Sequence, residues 1–355
     1  MPDVALANRL DPAVAGPALQ RWVADHLEGG VTVTDVTVPH STGMSCETVL
    51  FSAQGRRFVA RVAPDDGVGL FPSYRLQDEA AVMRALAPTP VPAPRVVAVE
   101  TDPAVLGGRF LVMEHIDGRV PPDDPPYSLA GWVLELSPEQ QGRLVDNAIA
   151  TIVEVSRADR SGLRLPRVGV AAQVAFLDHL HETGHRGTPH PTIAAGLDYL
   201  RANAPTGESL ALCWGDARIG NMLFADDLSV AGALDWELAS IGSRELDVAY
   251  FLYALRLWSE GFGAPSPPGF PDRAAILARF EELSGVPVQH LDYYERLAAA
   301  FGAIAMLRAG HLMIDADLVP PDSTVWLTNP PSVLLAGYLG LPVPTGEVVD
   351  WVGHR

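Results

Sequence analysis

The chain contains no lysine: all 25 of its basic side chains are arginine, set against 43 acidic ones, and the formal net charge over 355 residues is −18. Any site that needs a cation must use a guanidinium, a planar fork that grips carboxylates and phosphates differently from the point charge of an ammonium. The acidic balance argues against nucleic acid and against an anionic membrane as partners, because both reward clustered positive charge. It is compatible with a cationic substrate and equally with a plain soluble surface. Cysteine is almost as scarce. Cys46 and Cys213 are too few for a disulfide framework and show no Cys-x-x-Cys or Cys/His metal spacing. Although 48% of the residues are hydrophobic, no run reaches the unbroken apolar length of a transmembrane helix. The opening MPDVALANRLDPA lacks the basic-then-apolar order of a secretory signal. These absences predict a soluble, cytoplasmic protein, and no internal repeat is evident.

What the chain does have is concentrated between Leu210 and Tyr250, LALCWGDARIGNMLFADDLSVAGALDWELASIGSRELDVAY. Asp216 precedes Asn221 by five positions, a strand-like VAGAL run follows, and Asp235 closes that run with a Trp and a Glu behind it. A D-x-x-x-x-N loop puts one carboxylate where it can orient an acceptor hydroxyl and one amide oxygen where it can hold a metal ion. An Asp after the next strand can bind the same Mg²⁺, which prefers oxygen ligands. Phosphoryl transfer asks little covalent help of a protein, so positioned oxygen-bearing side chains suit it. The plainer alternative is an Asx-rich turn at Asp216 and Asn221 with Asp235 ending a strand. Spacing, strand context and the trailing ELDVA together favour phosphate chemistry.

This stretch resembles the aminoglycoside phosphotransferase family of kinase-like small-molecule phosphotransferases, and WGDARIGN looks like the loop of an actinobacterial branch of it. The resemblance extends from about Val31 to about Gly340. It implies an α+β, bilobal protein-kinase-like fold, with a nucleotide-binding lobe over residues 1–115 built on a five-stranded antiparallel sheet. A larger, mainly helical catalytic and acceptor-binding lobe would cover 116–355. It implies ATP with Mg²⁺ and transfer of the γ-phosphate to a hydroxyl of a small molecule. By position Asp216 becomes the catalytic Asp, Asn221 and Asp235 the metal ligands, and Asp247 a structural Asp in the following helix. The family usually carries His before the Gly-Asp pair. Here the residue is Trp214, with one N–H donor and no acceptor, so the loop must be supported differently.

Taken in order, PALQRWVADHLE (17–28) spaces its apolar residues as an amphipathic helix. Three β-type runs follow at 31–38, 47–53 and 56–63, the last two joined by Gln54-Gly55, a hairpin signal. In the resemblance Ser41, Thr42, Gly43, Met44 and Ser45 form the loop over the nucleotide phosphates. With a single Gly it draws its weight from its place between the first two strands, and its hydroxyls and exposed N–H groups suit phosphate oxygens. Arg61 stands where kinase-like folds place a lysine for the α- and β-phosphates, and it shares a strand face with Val59 and Ala63. A surface Arg on an edge strand is the alternative. A helix from about Pro72 to Leu86 brings Glu79 to the position that pairs with that cation, a solvated Glu being the alternative. Strands RVVAVE and RFLVMEH complete the sheet, and Glu114, His115 and Ile116 fall at the hinge where backbone groups would meet adenine.

Beyond a Pro-rich stretch, Ser137-Pro138-Glu139-Gln140 carries the capping pattern of a helix running to about Arg157. Further helices are expected at 171–183, 191–203, 244–260, 271–284, 290–314 and 330–339. HLHETGHRGTPH, ending at His190, holds four histidines that read as a helix–loop junction or as a metal cluster. The later helices show no concentration of acid suited to a polycationic drug. A metabolite alcohol, amino alcohol, sugar or hydroxyacyl compound is therefore expected as acceptor, an aminoglycoside being the alternative within the same chemistry. A nucleotide-binding regulatory module without catalysis is the alternative from another class.

Overall fold

The computed structural model describes residues 10–27, 32–39 and 45–346. Five antiparallel strands, β1 (Val33–Thr37), β2 (Glu47–Ala53), β3 (Arg56–Val62), β4 (Val96–Glu100) and β5 (Phe110–Glu114), lie side by side in the order β1-β2-β3-β5-β4. Gln54 and Gly55 close the β2–β3 hairpin with φ of 55° and 68°, the left-handed pair whose twist matches the flanking strands. Alternation then sorts the side chains to two faces. Val49 and Phe51 of β2 and Phe58, Ala60 and Val62 of β3 bury themselves under helix α1 (Pro12–His26), against Leu19, Trp22 and Val23. Arg61 points to the opposite face, beside Val59 and Ala63, where the main core begins.

Two helix starts differ from those the sequence spacing predicts. Helix α1 begins at Pro12, not near Pro17, because Asp11 accepts the Ala13 N–H at 2.8 Å and Pro12 is pre-set for the first turn. Helix α2 runs Leu76–Leu86 and not from Pro72. The Pro72 carbonyl is taken by the Gly67 N–H, and Phe71 stacks on Phe301 at 6.4 Å, so residues before Leu76 fold as a packed loop.

The remainder is mainly helical: α3 (Trp132–Glu135), α4 (Pro138–Arg157), α5 (Gly169–Gly184), α6 (Pro191–Ala202), α7 (Glu245–Leu257), α8 (Arg273–Ser284), α9 (Leu291–Asp315) and α10 (Pro330–Leu339). The Ser137/Gln140 capping box opens α4 as expected. Four short strands interrupt the helices, β6 (Leu210–Cys213), β7 (Met222–Phe224), β8 (Val230–Ala233) and β9 (Ser240–Ser243), paired as β6–β9 and β7–β8. Helix α9 is long and apolar enough by composition to cross a bilayer, but most of its apolar window is buried against its neighbours. Of the four clustered histidines, His190 caps α6 through the Ile193 N–H and His181 lies beside His185 at 5.2 Å. Among the described residues no group of three or more His, Cys, Asp or Glu is arranged to hold a metal ion.

Candidate active site

The two small antiparallel strand pairs, β6–β9 and β7–β8, carry the motif residues on the segments between and after their strands. Cys213 ends β6 fully buried, and Trp214 and Gly215 turn the chain away from it. Gly215 has φ +90°, and a Cβ there would collide with the Leu238 carbonyl, so this corner admits only glycine without displacement. Asp247, near the start of α7, ties the corner down: its two carboxylate oxygens accept the Trp214 N–H at 2.7 Å and the Gly215 N–H at 2.9 Å. Burial raises the Asp247 pKa to about 6, with those two donors pulling the other way. Trp214 supports the corner from the other side. Its indole N–H reaches the Leu234 and Asp235 carbonyls at 2.8 and 3.1 Å, and its ring stacks on Trp236 at 5.0 Å.

Past the corner, Asp216, Asn221 and Asp235 are drawn together. Asn221 Nδ2 donates to the Asp216 carbonyl at 3.0 Å, and the Leu234 N–H donates to the Asn221 carbonyl at 2.9 Å, which sets Asp235 beside both. With its nitrogen so engaged, Asn221 has its side-chain oxygen left to accept. Asp235 itself sits at φ +62°, a strained conformation of the kind that gathers at functional sites. Burial raises the Asp216 pKa, Arg218 opposes this and Asp235 adds to it. The Tyr250 hydroxyl faces the same carboxylate.

Arg61 reaches this group from the sheet. It stands 2.9 Å from Asp235 Oδ1, 3.4 Å from Glu237 Oε2 and 3.6 Å from Glu79 Oε2. The expected Arg61–Glu79 pair is thus present as an ion contact, but Asp235 is the nearer partner and makes the hydrogen bond. Glu79 is only 2% exposed, and neither of its carboxylate oxygens has a hydrogen-bond partner among the described residues. Burial pushes Glu79 and Glu237 upward, and neighbouring carboxylates add to this. Burial disfavours the Arg61 charge, yet Asp235 and Glu79 more than offset it and hold the guanidinium well above its usual pKa. Three carboxylates crowd one cation, and burial with their mutual repulsion makes Glu79 and Glu237 resist ionisation.

The remaining expected nucleotide contacts divide. Ser41, Thr42, Gly43 and Met44 lie outside the described residues. Ser45 is buried, with its hydroxyl facing Glu237. At the end of β5 the Glu114 N–H is spent on the Arg95 carbonyl and the His115 N–H on the Arg57 carbonyl. The Glu114 side chain is ion-paired with Arg56 and Arg95. The hinge expectation therefore narrows for N–H donors to Ile116, because sheet pairing has consumed the other two.

Sequence reasoning gave no role to four neighbours of this site. Glu237 was visible behind Asp235 but ambiguous. Tyr250 lies one turn beyond Asp247 on α7, with nothing in the pattern to single it out. Arg218 is inside the loop motif, donating from Nε to Asp216 Oδ1 at 3.1 Å, and its partner Asp123 is 95 residues away in the Pro-rich stretch. No local signal could have joined that pair.

Comparison with known proteins bears on the family and the fold. The family profile described as "Phosphotransferase enzyme family" matches residues 36–303. Among solved structures, a candidate aminoglycoside phosphotransferase of Ralstonia eutropha aligns over 89% of this chain and 93% of its own, at 23% identity and TM-score 0.66. A thermostable mutant of aminoglycoside phosphotransferase APH(4)-Ia, crystallised with ADP and hygromycin B, aligns over 84% and 94% at 18% identity and TM-score 0.55. At these identities the likeness shows the fold, which is kinase-like. Probable acyl-CoA dehydrogenase IBR3 of Arabidopsis thaliana is 29% identical over 300 residues, covering 76% of this chain and 35% of that protein. The chain spans 24% to 38% of the length of the curated relatives it matches.

Proposed function

The chain belongs to the phosphotransferase enzyme family, and from that premise we propose that it moves the γ-phosphate of ATP, held with Mg²⁺, to a hydroxyl of a small molecule. The observation that carries this reading is the meeting of Asp216, Asn221 and Asp235 under Arg61, four residues from three separate segments. In the proposal Asp216 orients the acceptor hydroxyl and takes its proton as the new phosphorus–oxygen bond forms and the bond from the γ-phosphorus to the departing ADP breaks. The side chains of Asn221 and Asp235 offer the oxygen donors that a hard divalent cation prefers, and the carboxylates crowded around Arg61 would ionise more readily beside such an ion. When bound, Mg²⁺ neutralises charge on the phosphates. Arg61 exchanges Asp235 for phosphate oxygens while Glu79 keeps it in place. Ser41, Thr42, Gly43, Met44 and Ser45 cover those phosphates, and Glu114, His115 and Ile116 border the adenine.

The acceptor in this reading is a weakly charged alcohol. The helices after Asp247 alternate Arg with Glu and do not concentrate acid, and Asp123, a carboxylate beside the Asp216 loop, is already paired with Arg218. Such a distribution of charge offers a polycation little. The relatives named for acyl-CoA dehydrogenation favour including a hydroxyacyl thioester among the candidates. The test is product detection with Mg-ATP and a panel of a hydroxyacyl-CoA, an amino alcohol, a sugar and kanamycin. A phosphorylated product is expected, and ATP bound without turnover on any of them would instead support a nucleotide-binding regulatory module.

A further inference from the structure

Arg218 has no part in the roles assigned above, yet it is among the most heavily engaged side chains at the site. Nε donates to Asp216 Oδ1 at 3.1 Å, and Nη1 donates to both oxygens of Asp123 at 2.8 and 2.7 Å. Its guanidinium lies over the Trp258 indole, 5.2 Å from the ring centre. These partners come from three segments: the catalytic loop, the stretch between β5 and α3, and the end of α7. Gly220 belongs to the same arrangement, since a Cβ there would press on the guanidinium and stand 2.7 Å from Asp123 Oδ1. A larger residue at that position displaces the bridge.

The side chains of Arg218, Asp216 and Asp123 are 18%, 15% and 25% exposed. Taking such charges out of water is costly, and a buried ion pair is weak ground for a stability role. A free aspartate turns about two torsions. Holding one of its oxygens with a charge-assisted hydrogen bond removes much of that freedom. Placement matters here, because a misplacement of about 1 Å at a reacting group can cost about 10²-fold in rate.

We propose that Arg218, anchored by Asp123 and Trp258, is the positioning residue for the transfer: it clamps Asp216 Oδ1 so that the other carboxylate oxygen stays turned to the acceptor hydroxyl. The inference rests on the phosphotransferase reading. Arg218 acts through Asp216 and touches neither nucleotide nor metal ligand, so its loss changes turnover and leaves nucleotide binding alone.

The test is steady-state kinetics, with the acceptor found by the panel, together with Mg-ATP calorimetry on the full chain. Arg218→Met is expected to lower kcat by about 10²-fold while the Kd for Mg-ATP stays within about 2-fold. Arg218→Lys recovers part of the loss, because an ammonium reaches one carboxylate where the fork reaches two. Asp123→Asn lowers kcat by about 10-fold alone and by nothing further once Arg218→Met is present, the non-additivity of two groups acting as one. Should Arg218→Met fail to fold, as its thermal melt would show, Arg218→Lys and Asp123→Asn carry the test. Unchanged kcat in these variants, with an active wild type, overturns this inference alone. A parallel loss of Mg-ATP affinity also overturns it, by making Arg218 a phosphate ligand. A wild type with no turnover on any acceptor overturns the phosphotransferase reading and this inference with it.

Discussion

Arg61 and Arg218, the two guanidinium groups that serve the site, are held in different ways. Arg61 stands on the sheet, with Asp235, Glu237 and Glu79 around it, three carboxylates to one cation. Arg218 stands in the catalytic loop with two carboxylates, both in hydrogen-bond contact, and an aromatic ring beneath it. The first group has more carboxylates than one cation can pair, which leaves Glu79 and Glu237 reluctant to ionise, and it gains from an added cation. The second is nearly balanced and gains nothing by moving. The contrast divides the work of phosphoryl transfer between a part that exchanges partners as Mg-ATP arrives and a part that keeps the acceptor carboxylate in place. A site without lysine gives both parts to arginine, whose fork can contact several oxygens at once.

The comparison is broken most severely at Asp235. Asp235→Ala is expected to weaken Mg-ATP binding by about 10²-fold, roughly 2.7 kcal/mol. Calorimetry showing unchanged affinity would remove this carboxylate from the nucleotide end. The effect should not appear in Arg218 variants, which sharpens the division.

On the fixed side, Asp247 supports the corner that carries Asp216. In Asp247→Asn one of the two backbone N–H groups faces an amide NH₂ in place of an oxygen, a loss of about 1 to 3 kcal/mol by denaturant unfolding. The carboxyl also gives a sign for pH. Its folded pKa, about 6, is raised above the ordinary carboxylate value, so between about pH 4 and 6 the folded chain holds more protons than the unfolded one. Its contribution is full below that window and is lost as pH rises through it, by about 3 kcal/mol. Asp247→Asn should flatten the decline. An identical pH slope in both proteins would place the titration elsewhere.

A smaller effect is expected from Arg61→Lys, which keeps the charge but loses the fork: about 10-fold in kcat/KM. In a double-mutant cycle Arg61→Ala and Glu79→Ala should couple by about 0.5 to 3 kcal/mol. Simple additivity would mean that the 3.6 Å contact carries no energy. Kanamycin-type drugs should be poor acceptors, with kcat/KM below about 10⁴ M⁻¹s⁻¹. Efficient turnover that falls with added salt would contradict the reading of the acceptor as a weakly charged alcohol.

How far this division could be read from the sequence follows from the range of each interaction. The Gln54-Gly55 turn, the Ser137/Gln140 box and the Asp216/Asn221 spacing are local, so residue order alone revealed them. The start of α2 was misjudged because Phe71 is held by Phe301, 230 positions away along the sequence. Arg218 was visible within its motif, but its meaning depends on Asp123 and Trp258, which only the folded chain brings to it. Glu237 carries no local signal, because a third carboxylate has no evident use until Arg61 arrives from the sheet.

The central claim is most directly tested at Asp216. Wild type and Asp216→Asn are compared for Mg-ATP binding by calorimetry and for phosphorylated product with the acceptor found by the panel. The account predicts binding within about 2-fold in the two proteins and a loss of product formation of about 10³-fold or more in the variant. Product formation by Asp216→Asn at close to the wild-type rate would contradict it.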